Sequence, residues 1–138
     1  MDKVIFSYST KQAVQDGVLH EVEQAVSSEA GIKFPVFITS RAWERYVEVP
    51  KGMEGHQDLG GRLWDVLFMF AFQAKQSPSS IMHFQFVCQI PADETMLDNE
   101  KNCEDGELLR EISLKASIGP RDIDDPRPGI FMMMPDED

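Results

Sequence analysis

The sequence predicts an α+β domain: a helical N-terminal half with short strands, and a C-terminal three-stranded antiparallel sheet packed on one central long helix. Three observations carry this. Helix start and stop signals cluster before Gln76. Two later stretches, Met82–Ile90 and Glu111–Ile118, alternate apolar and polar residues. The most apolar run, Val66 to Phe72, lies inside the longest helical pattern. Helices first and strands last favour α+β over a parallel α/β sheet. Residues 1–138 read as a single domain, since 138 residues with 42% hydrophobic content suffice for one ordinary core.

Each element has its own local reason. Val4–Tyr8 reads as a short opening strand. Ser9 and Gln12 form a capping box for a helix from Thr10 to about Asp16, which Gly17 stops. A second helix fits Glu21–Ala30, with Val22, Ala25, Val26 and Ala30 on one face and Gly31 at its end. Phe34–Ile38 is apolar, but Pro35 lacks a donor, which predicts a sheet edge or an extended connection. Thr39 or Ser40 caps a short third helix whose Trp43, Tyr46 and Val47 share a side. After a loop at Pro50–Gly55, Asp58 caps the long helix, Leu59 to Gln76, which is apolar nearly all round and so predicted to be buried on more than one side. Three strands follow, at about 81–90, 108–118 and 129–134. In the first, Phe84 and Phe86 face inward and His83 and Gln85 outward. Pro120–Pro128 reads as a proline-rich acidic turn. The last strand is apolar at both parities, which predicts cover on both faces, with Met132, Met133 and Met134 as core and not a soft-metal site.

Charge is divided unevenly. Residues 1–92 carry ten acids and eight bases, and residues 93–138 carry fourteen acids and five bases, summing to the net −11 of the chain. That charge excludes non-specific attraction to nucleic acid or anionic membrane as a driving force. The acids of 93–107, 122–125 and 136–138 read as solvated loops and a frayed tail. In particular 93–107, with seven acids, one lysine and only Met96 and Leu97 as large apolar residues, reads as a flexible insert. The longest strongly apolar run is seven residues, too short to span a bilayer, and the N-terminus lacks signal-peptide features, so a cytoplasmic location is expected.

Most chemical signatures are missing. There is no phosphate-cradling glycine loop, dinucleotide fingerprint, nucleophile elbow or paired-histidine metal motif, and neither a metal nor a cofactor is expected. Cys88 falls on an apolar strand face, and Cys103 sits among acids that disfavour a thiolate. One dense polar constellation stands out, His56-Gln57-Asp58 through Asp65. Helical spacing of about 100° per residue places Asp58, Arg62 and Asp65 on one side of the long helix, which predicts a carboxylate–guanidinium cluster, with Trp64 largely buried. The candidate functional cluster is therefore His56, Asp58, Arg62, Trp64 and Asp65. Two readings stay open for it: a helix anchor, or a small acid–base or ligand pocket with His56 at its mouth.

The order of several blocks is familiar. Phe6-Ser7-Tyr8-Ser9 with Gln12 to Leu19, Phe34 to Thr39 with Trp43, His56-Gln57-Asp58 with Gly61 to Leu67, Phe84-Gln85-Phe86 with Pro91, and the close at Met134 to Asp138 together resemble a family of uncharacterised bacterial proteins that share a domain of unknown function. The resemblance covers nearly the whole chain. Members are common on plasmids and other mobile elements, and no activity is established for them, so the resemblance implies no catalytic residue. It implies an accessory protein of a mobile element that is non-catalytic and binds a host or mobile-element protein, with counter-defence among its candidate roles. The alternative is a small enzyme or ligand-binding domain using the His56/Asp58/Arg62/Asp65 cluster. A concave pocket beside Arg62 and Trp64 would favour the alternative; a flat or filled surface would favour the first reading. The sequence leaves the oligomeric state and strand order open.

Overall fold

A computed structural model describes residues 9–55, 57–103 and 109–137. The expected strand at 4–8 lies outside them. The architecture is α+β, as predicted, but its sheet is larger and more mixed. In chain order the elements are α1 (Thr10–Gln15), β1 (Leu19–Glu21), α2 (Gln24–Glu29), β2 (Val36–Thr39), α3 (Ser40–Ala42) running into a π turn over Trp43–Val47, α4 (Leu59–Gln76), β3 (Ile81–Gln89), β4 (Glu100–Asn102), β5 (Leu109–Asp122) and β6 (Asp125–Met133). The six strands form one sheet of order β1-β2-β6-β5-β3, with β4 also pairing to β5. All pairs are antiparallel except β2–β6, which runs parallel in the register Val36↔Ile130. The three-stranded antiparallel sheet expected of the C-terminal third is thus one side, β6-β5-β3, of a six-stranded mixed sheet.

Several local signals act as read. Ser9 and Gln12 make the capping box of α1, and Gly17 follows at φ 78. Asp58 caps α4, whose bounds are those expected. The alternation of β3 is obeyed: Phe84 and Phe86 are buried, and His83 and Gln85 are exposed. Burying each phenylalanine contributes roughly 1.5–3 kcal/mol. Met132, Met133 and Met134 are core.

Other expectations are corrected. The second helix is shorter because Leu19–Glu21 joins the sheet instead. β2 lies inside the sheet, not at its edge. Pro35 precedes the strand, so its missing donor costs no ladder bond, and its carbonyl accepts Ile130 N–H at 2.9 Å. Pro120–Pro128 is not a loop: β5 and β6 stay paired through Asp122↔Asp125. The α4 helix buries one stripe (Leu63, Val66, Leu67, Phe70, Ala71) and leaves Phe68 and Phe72 about half exposed.

The acids are more ordered than their composition predicts. Asp122 accepts the N–H groups of Thr10 and Lys11 at the start of α1. Glu137 accepts from Thr39 Oγ1 and Met134 N, so the tail is pinned beside α3. The supposed flexible insert is docked over 93–103: Glu100–Asn102 forms β4 on β5, Leu97 packs against the core, and the Glu100 side chain is buried. Composition misled because the anchor is a paired charge and not an apolar residue. Residues 104–107 of that segment lie outside those described.

Candidate functional site

The N-terminal end of α4 is built tightly. Asp58 adopts an extended backbone, and its Oδ1 accepts Gly61 N–H at 2.6 Å. A Cβ at position 61 would lie 3.0 Å from that oxygen, so glycine permits the close cap. One turn on, Arg62 turns inward and is 5% exposed. Its Nη1 donates to Gln57 Oε1 at 2.7 Å and to the Gln89 carbonyl at 2.8 Å, and its Nη2 donates to the Arg45 carbonyl at 3.1 Å. Gln57 Nε2 donates in turn to Gln89 Oε1. The guanidinium therefore ties the α4 start to β3 and to the π turn.

This corrects the predicted cluster. Arg62 is held by an amide and two carbonyls; Asp58 is occupied by its cap, and Asp65 stands at the rim. Burial raises the Asp65 carboxyl above its ordinary range, with the charge of Arg62 opposing that shift. Trp64 is 37% exposed instead of largely buried, because the buried stripe runs through 63, 66, 67 and 70 and leaves 64, 68 and 72 outward. Trp64 stacks on Phe68 with ring centroids 5.8 Å apart. His56 lies outside the described residues.

Asp58, Arg62, Trp64 and Asp65 all line one groove of about 1160 Å³ between α4 and β3. Phe68, Met69 and Val87 add to its apolar wall, and Glu54 and Glu111 add acids. Sequence reasoning placed Gln57 in the polar constellation without a role and missed Gln73, Gln85 and Gln89, since glutamine carries no distinctive spacing signal.

Tyr46, which lines the groove, also belongs to a buried charge cluster. Glu100 accepts from Arg45 Nη2 at 2.9 Å, Arg110 Nη1 at 2.9 Å, Tyr46 Oη at 2.6 Å and Leu97 N at 3.2 Å. Burial pushes its carboxyl up, but the bonds from Arg45, Tyr46 and Leu97 outweigh this and hold it at about 2. The Tyr46 hydroxyl is raised by burial and by its bond to Glu100.

Among the described residues no group of three or more His, Cys, Asp or Glu side chains is placed to hold a metal ion, and no described helix is long and apolar enough to cross a membrane. Burial pushes the Cys88 thiol up to about 11. Its thiolate is then scarce at neutral pH, so a maleimide should label Cys103 promptly in the native protein and Cys88 only on unfolding. Equal rates would show that the groove opens onto the inner sheet face.

The class defined by these features is a small α+β domain with an acid-rimmed apolar groove. The chain belongs to the Family of unknown function (DUF6573), whose family model matches residues 1–138. Comparison with curated proteins and with solved structures finds no match.

Proposed function

We propose that the protein is a non-catalytic binding module that takes a segment of a partner protein in the groove between α4 and β3. One observation carries this: an apolar wall formed by Trp64, Phe68 and Val87 is rimmed by Glu54, Asp58, Asp65 and Glu111. The concavity beside Arg62 and Trp64 is the feature expected of the ligand-binding alternative, and it carries the reading to a binding module with a groove instead of a flat docking face. A groove of about 1160 Å³ accommodates a short peptide segment. Arg62, the one cation of the lining among the described residues, directs three donated bonds at Gln57, Gln89 and Arg45, so the rim favours a basic, apolar segment. Asp58 supports binding over proton transfer, because its carboxylate is held by its cap. The family resemblance supports an origin on a plasmid or other mobile element, with a host or mobile-element protein as partner and counter-defence as a role. That support is association, not mechanism.

The test is selection of short displayed peptides on the immobilised protein. Basic, apolar sequences should be enriched, and the Trp64→Ala/Phe68→Ala double variant should lose them by about tenfold or more while its melting temperature stays within a few degrees. Enrichment of acidic peptides, or of none, overturns the reading.

A further inference from the structure

Among the described residues β3 is an outer strand of the sheet, and its pairing register with β5 fixes which of its backbone groups face outward. Ile118 N–H donates to the Ser80 carbonyl at 2.8 Å, so the even-numbered residues of β3 bond to β5 and the odd-numbered ones direct N–H and C=O to the open side. Several of those groups are already engaged. Ser79 Oγ meets both backbone groups of Ile81. Arg62 takes the Gln89 carbonyl. Gln73, from α4, takes both groups of Gln85: its Nε2 donates to the carbonyl at 2.6 Å and its Oε1 accepts the N–H at 3.0 Å. A carboxamide that supplies one donor and one acceptor to a single strand residue reproduces what a neighbouring strand supplies. Val87 lies between the two clamped positions, lines the groove and is half exposed.

We propose that the partner segment adds to the sheet as a further strand along β3, pairing with Val87 and displacing the Gln73 carboxamide from Gln85. Gln73 is then a placeholder that blunts the edge while the groove is empty, as sheet edges require. Main-chain bonds supply affinity and alternate side chains supply specificity. Residues of one parity lie against Trp64, Phe68 and Met69, with Asp58 and Asp65 at the lip; those of the other parity lie toward Val87 and Glu111. The occupant is therefore an extended segment of alternating apolar and basic residues, matched to the rim acids Glu54, Asp58, Asp65 and Glu111.

This inference rests on the groove reading above, and the experiment separates the two. The probe is the best short Lys/Val-alternating peptide from a displayed library, resynthesised with one backbone N-methyl group at each position in turn. Binding is measured to the wild-type chain, Gln73→Ala and Gln73→Met, with amide exchange read at Gln85 and Val87. N-methylation should weaken binding by about tenfold or more at alternate positions only. Both Gln73 variants should bind the unmodified peptide about threefold or more tighter, because a competing bond is gone. The Val87 amide should be protected in the complex. A peptide that binds and is lost with Trp64→Ala, yet shows no two-residue period and no Val87 protection, overturns strand addition while leaving the groove reading in place. Weaker binding by both Gln73 variants also overturns strand addition. Absence of any bound library peptide overturns both.

Discussion

Replacing Glu100 by alanine is expected to destabilise the fold by about 3–5 kcal/mol, because it leaves Arg45 and Arg110 buried or half-buried without their common anion. The loss reaches beyond the pair. Glu100 also accepts from Tyr46, which packs edge-on against Phe86, and from Leu97, so β4, β5 and the π turn lose a shared anchor. Glu100→Gln keeps the shape but presents amide protons to the guanidinium groups, and it should recover only part of the loss. Denaturant titration with unchanged slope is the measurement. A loss below about 1 kcal/mol would mean that the arginines find water and that the cluster is dispensable.

The same group sets a pH signature. Its carboxyl titrates at about 2 in the folded chain against an ordinary 4.5. A depressed carboxyl contributes stability that is complete above its unfolded value and is lost as pH falls through the folded value. Wild-type stability should therefore drop by about 3 kcal/mol between pH 5 and pH 2 on account of Glu100. Glu100→Gln should show a correspondingly shallower acid limb. Parallel limbs would assign the acid sensitivity to other carboxylates.

Replacing Arg62 by alanine should cost about 2–4 kcal/mol, for a different reason from the one its neighbours in sequence suggest. No carboxylate loses a hydrogen-bonded partner. Instead the Gln89 and Arg45 carbonyls and the Gln57 amide lose their donor, and the α4 start comes loose from β3. Arg62→Lys should recover little, since one ammonium cannot span three acceptors set apart by a planar fork. Asp65→Asn, by contrast, should be nearly neutral. A loss in Asp65→Asn equal to that in Arg62→Ala would return the arginine to a carboxylate partner and refute the contacts described above.

The two substitutions show where local pattern stops informing. Asp58 was legible as a cap because capping is a relation across three residues, and Gly61 N–H is its partner. Phe84 and Phe86 were legible because alternation is local to one strand. The partners of Arg62 were not legible: they lie on three separate elements and two of them are backbone carbonyls, which every residue possesses. The candidate cluster was half visible. Its described members do line one groove, but the role of each is set by what it meets across the fold. The acidic segment was misread for the same reason. Seven acids spread over fifteen mostly polar residues predict a solvated segment, yet one of them enters the core when Arg45, Arg110 and Tyr46 converge on it.

By itself the sequence determined the α+β class, the capped starts of α1 and α4, and the inward parity of β3 and β5, since each depends on residues within a few positions of one another. Tertiary structure alone decided the β2–β6 parallel pair, the edge position of β3 and the burial of Glu100. Those features join residues far apart in the chain through hydrogen bonds between groups that carry no sequence signature, and such pairings are selected only when the whole sheet closes around its core.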